Sequence, residues 1–143
     1  MSDEELVRGF ETCTLPGDQF THAAHVRVAW HYLRRHDFAG ALARFSRALR
    51  RYAAVRGAEG KYHETITIAY MLLIAERLDG CRELSWDAFA ARHPDLLARQ
   101  PSILARYYTD ETLQSERARR TFVMPDRPDR MGERREGAYV IGT

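Results

Sequence analysis

The stretch from Tyr62 to Leu78 carries apolar residues on most sides of a helical wheel and is closed by Asp79-Gly80. A helix with no polar face needs neighbours on every side, so this segment is expected to be the most buried element of the fold. Its longest apolar run, Ile66 to Ala75, is interrupted by Thr67 and Tyr70 and falls short of a membrane span. The covering elements must come from the rest of a 143-residue chain that is 45% hydrophobic and 29% charged. That length and balance suit one folded domain with a core of its own.

The covering elements are legible from caps and period. Ser2 caps a helix over Asp3–Thr12, with Glu5 at the capping-box position. Leu15-Pro16-Gly17-Asp18 breaks the chain. Thr21 caps a helix over His22–His36, and Asp37 caps another over Phe38–Val55. In the latter, Phe38, Leu42, Phe45, Leu49 and Tyr52 keep the helical spacing up to Gly57. After Gly80, Ser85 opens a short helix over Trp86–Arg92, which stops at His93-Pro94. Short helical turns follow at Asp95–Ala98 and Pro101–Tyr108, then a broken helix over Asp110–Arg120. Only Ala138–Ile141 reads as strand. The expected fold class is all-α: a compact bundle of three long helices capped by short ones. The domain is expected to span residues 1–124, with a charged tail over 125–143.

Composition narrows the function. The net charge is +2, which gives no global drive toward nucleic acid. Helix Phe38–Val55 and the following Arg56 carry five arginines and no acid, a face read as solvated rather than as a nucleic-acid surface. The acidic start Met1–Glu5 matches neither a secretory signal nor a transit peptide, so a cytoplasmic location is expected. Cys13 and Cys81 form no CxxC pattern and are expected reduced. Of the 22 basic residues, Lys61 alone is lysine. It stands beside Tyr62-His63-Glu64, where an amine and a carboxylate would flank an imidazole.

The histidines carry the sharpest chemical pattern. At about 100° per residue, His22 and His25 lie on or beside the apolar stripe of their helix, whereas His31 falls on the wetter side. His36 falls near a helix C-terminus and His93 at a turn. Residues at i and i+3 are neighbours about 5–6 Å apart at Cβ, so two imidazoles there can share one ion. His63 opens the central helix on a stripe with Thr67, Tyr70 and Ile74. In an up-down-up bundle the first and third long helices run parallel, which brings His22, His25 and His63 to the same end. The expectation is a metal site formed by these three residues, holding a divalent transition metal such as zinc or iron. Glu64 would act as ligand, as an anchor for a ligand or as general base, Tyr62, Thr65 and Thr67 would position water or substrate, and Lys61 would offer an amine, for which a Schiff base is one use.

The strings Phe20-Thr21-His22-Ala23-Ala24-His25-Val26-Arg27-Val28-Ala29-Trp30 and Lys61-Tyr62-His63-Glu64-Thr65-Ile66-Thr67 hold these three histidines. With His93-Pro94-Asp95-Leu96-Leu97 and Tyr107-Tyr108, they resemble a group of small, uncharacterised bacterial all-α proteins over Phe20 to Asp126. The resemblance implies that the two histidine strings belong together and that the segment after Asp126 lies outside the shared pattern. It brings no activity with it.

The leading functional expectation is a small metal-dependent enzyme acting on a small molecule by hydrolysis, hydration, a lyase step or non-haem-iron chemistry. One alternative is a metal-free binding or interaction protein with structural histidines, meeting a partner or a second copy of itself through the arginine face or the tail. Another is a metal-free acid–base enzyme using His63 and Glu64.

Overall fold

The computed structural model describes residues 1–127. The described residues form eight α-helices and no named strand: α1 Asp3–Glu11, α2 His22–Arg35, α3 Phe38–Val55, α4 Glu64–Leu78, α5 Trp86–Arg92, α6 Pro94–Leu97, α7 Asp110–Leu113 and α8 Glu116–Arg120. Short 3-10 turns stand at Gly17–Gln19, Glu59–Lys61 and Ile103–Arg106. The chain is therefore an all-α fold, with α2, α3 and α4 as its long helices. The strand pattern at Ala138–Ile141 and most of the charged tail lie outside the described residues.

Helix starts follow the side chains that satisfy free amides. Ser2, Thr21, Asp37 and Ser85 each accept a hydrogen bond from the backbone N–H three residues on, at 2.8–3.2 Å. α4 departs from expectation here. It begins at Glu64, and His63 is its N-cap in extended conformation rather than a residue of the first turn.

α4 is the central element, packed against α2, α3, α6 and α8. Met71, Ile74, Leu78 and Thr65 are fully buried on it, and Thr67 is nearly so. Burial of each such aliphatic side chain stabilises the fold by roughly 1.5–3 kcal/mol. The buried Thr65 hydroxyl is satisfied from a distant part of the chain. It donates to the Thr121 carbonyl at 2.8 Å and accepts from the Val123 amide at 3.1 Å. Residues 121–127 are thereby docked on the domain, and Asp126 secures them by accepting from the Thr109 amide and from the Thr109 and Thr112 hydroxyls.

His31 corrects a sequence expectation, because it is buried at 8% exposure rather than solvated. α1 folds back along α2, where Asp3 pairs with Arg27 at 2.7 Å. Burial, and next the Arg35 charge, hold the His31 imidazole below its ordinary value. The arginines of α3 and the following Arg56 are exposed, as expected, and two of them also bind backbone carbonyls. Arg51 donates to the Glu11 carbonyl at 2.7 Å, and Arg56 to the carbonyls of Cys13 and Leu15. They tie α3 to the loop that leaves α1.

Candidate functional site

Two neighbouring cavities open where the first turns of α2 and α4 meet. The first, about 360 Å³, is lined by His22, His25, Val26 and Ala29 of α2, by Ile66, Thr67, Tyr70, Met71 and Ile74 of α4, and by Phe20, Thr21, Phe45, Leu49 and Arg99. The second, about 610 Å³, has His25, Lys61, Tyr62, His63, Tyr52 and Arg56 in its wall. Phe20, His25, Leu49, Ile66 and Thr67 border both. The expected gathering of the three histidines at one end of the bundle thus appears as three side chains around two adjoining cavities.

Their ring nitrogens are disposed differently. His22 is half-buried, packs edge-on against Tyr70 with centroids 5.1 Å apart, and donates from Nε2 to the Leu96 carbonyl at 3.0 Å. His25 lies flat on Phe20 at 3.7 Å and donates from Nδ1 to the Thr21 carbonyl at 2.9 Å. A carbonyl only accepts, so each contact fixes the proton on the bonded nitrogen and leaves the other nitrogen of the neutral ring with its lone pair. Burial, outweighing the Thr21 contact, holds His25 below its ordinary value and favours that neutral ring.

His63 has both nitrogens engaged. Nδ1 accepts from the Ile66 amide at 3.1 Å, and Nε2 donates to the Leu113 carbonyl at 2.6 Å. The ring caps α4 and clasps α7 to it. No group of three or more His, Cys, Asp and Glu side chains able to hold a metal ion is present among the described residues. His22, His25 and His63 are therefore not brought together as one ligand set. The physical reason is that the His63 lone pair already serves the helix cap.

Tyr62 and Lys61 line the second cavity, and Glu64 stands outside its lining. Glu64 turns to Arg50 at 3.2 Å and accepts from the Tyr62 hydroxyl at 2.6 Å. Arg50 also lies 4.8 Å over the Tyr62 ring. Burial, followed by the hydrogen bond to Glu64, pushes the Tyr62 hydroxyl up to about 12. Glu64 is thus held by two partners as a surface ion pair and hydrogen bond, and Lys61 is exposed. His36 ends α2, and His93 ends α5 and packs on Phe89 at 4.6 Å, beside the Arg77–Asp95 pair.

Sequence reasoning missed Arg99 and Phe20 as wall residues. Arg99 sits between short elements with no period to read, and Phe20 was visible as the first residue of the Phe20–Trp30 string with no role assigned to it. Comparison with family models, curated proteins and solved structures returned no match.

Proposed function

We propose that this chain binds a small molecule in the cavity between α2 and α4, with His22 and His25 as its chemistry-bearing groups. The observation that carries the reading is the pair of carbonyl-anchored imidazoles in one largely apolar wall. Ligand sites are commonly apolar clefts of roughly 300–1000 Å³ with a few placed polar groups. A neutral imidazole with a fixed tautomer accepts a hydrogen bond from a ligand O–H or N–H. It takes that proton when the reaction calls for a base. His25, held neutral by burial, is the better placed of the two to do so.

A thermal-shift screen tests the reading. Compounds that enter the cavity raise the unfolding temperature. Ala29→Phe, which places a ring in that space, should remove the shift, with its circular dichroism spectrum verifying that the buried substitution still folds. Compounds that shift Ala29→Phe as much as the wild type, or a screen without any hit, overturn it.

A second reading is the metal-dependent enzyme. Carbonyl-anchored imidazoles are a common setting for metal ligands, and the lone pairs of His22 and His25 supply two. Substrate or water would complete the coordination of a zinc or iron ion, without Glu64 or His63. Elemental analysis of protein purified without a His tag tests it. Stoichiometric metal, lost in His22→Ala and His25→Ala and retained in His63→Ala, supports this form.

A further inference from the structure

Charge in the first cavity is confined to one residue. Arg99 is the one Asp, Glu, Lys or Arg in its lining, and no Asp or Glu lines either cavity. Other guanidiniums nearby are engaged: Arg50 by Glu64 and Arg56 by the carbonyls of Cys13 and Leu15. Arg99 makes no side-chain hydrogen bond or ion pair among the described residues. Its backbone is held by a bridge to Ser102, whose hydroxyl meets that of Tyr70 at 2.8 Å on the cavity wall. Arg99 is thus anchored by its backbone and exposed, at the border of a space also walled by Val26, Ala29, Phe45, Met71 and Ile74.

A guanidinium offers a planar fork of donors that matches a carboxylate. Resting on the small-molecule reading above, we infer that the ligand is a small monocarboxylic acid with an apolar body, its carboxylate on Arg99 and its body among the α2 and α4 side chains. The same arrangement disfavours a cationic ligand, which would meet Arg99 with no acid in the wall to balance it. A polyanion such as a nucleotide phosphate would find one guanidinium and a largely apolar interior.

Matched probes separate this inference from the reading beneath it. Phenylacetate is compared with phenylacetamide, and octanoate with octanamide, by ligand-observed NMR titration of the wild type, Arg99→Gln, Arg99→Lys and Ala29→Phe. Each acid is expected to bind roughly tenfold more tightly than its amide, the scale of one charge-assisted contact. Added salt should weaken the acids alone. Arg99→Gln should bring acid and amide to equal affinity, and Arg99→Lys should restore part of the difference. Arg99 is exposed, so unfolding temperatures close to the wild type verify that these variants fold. Amides that bind as tightly as their acids, with Ala29→Phe abolishing both, overturn the carboxylate inference and leave the cavity reading standing. Acids and amides that all fail to bind overturn both.

Discussion

Replacing His63 by alanine should cost stability before it costs chemistry. The ring supplies the N-cap of α4, worth about 1 kcal/mol within a range of 0.5–2, and a hydrogen bond to the Leu113 carbonyl worth about another 1 kcal/mol. His63→Ala should therefore lose about 2 kcal/mol. In a domain of this size that lowers the unfolding temperature by about 8 °C. His63→Asn separates the two contacts. Its side-chain oxygen can accept from the Ile66 amide, but it is too short to reach Leu113, so about half of the loss should return. Urea unfolding followed by far-ultraviolet circular dichroism measures all three proteins. Amide hydrogen exchange at Ile66 should accelerate in the alanine variant and recover in the asparagine variant. If His63→Ala is as stable as the wild type while ligand or metal binding falls, the clasp argument is refuted and His63 is a binding group.

Arg77 donates two hydrogen bonds to Asp95 and holds its carboxyl at about 2, below the ordinary 3.8. That stability is present above the unfolded value and lost as pH falls through the folded one. Asp95→Asn should thus cost about 1 kcal/mol near neutrality, allowing for solvent screening, and the gap to the wild type should close as pH drops from about 4 to about 2 in thermal scans. The Tyr62 hydroxyl, raised to about 12 from 10.0, contributes stability that is present below the lower value and lost as pH climbs through the higher one. An ultraviolet phenolate titration of the wild type against Tyr62→Phe should show one late-ionising tyrosine missing from the variant, and an unchanged curve would contradict the placement. NMR titration of the imidazoles should find His25 protonating below the ordinary 6.5, and a value at or above it would remove the case for a fixed neutral ring. Asp126→Ala should release residues 121–127 from Thr109 and Thr112, seen as faster proteolysis there with little change in the main unfolding transition.

Local rules carried the sequence reading far. Ser2, Thr21, Asp37 and Ser85 stand where caps were expected because an N-cap is decided within four residues. Helix α3 runs over Phe38–Val55, the expected span, because its period and its flanking Asp37 and Gly57 agree. The exposure of His31 was misjudged because the cover comes from α1, across a loop that no helical wheel contains. The candidate site was legible as a neighbourhood, since parallel helices must share an end. Its chemistry was not legible. Which nitrogen of His22 is occupied depends on the Leu96 carbonyl, and the occupation of His63 depends on Leu113. Those partners lie 74 and 50 residues away, and backbone carbonyls leave no mark in the side-chain pattern.

The Thr65 hydroxyl gives the fold an order of assembly. Its two partners, Thr121 and Val123, leave the ribosome more than fifty residues after it. Until they arrive, the central helix carries an unmatched hydroxyl, and Ala69, Leu72 and Leu73 lack Phe122 and Met124, with which they line a cavity in the folded chain. A nascent chain shorter than about Val123 therefore lacks both partners of this buried hydroxyl. A chain stopped before Thr121 should therefore lean on chaperones more than one extended past Val123.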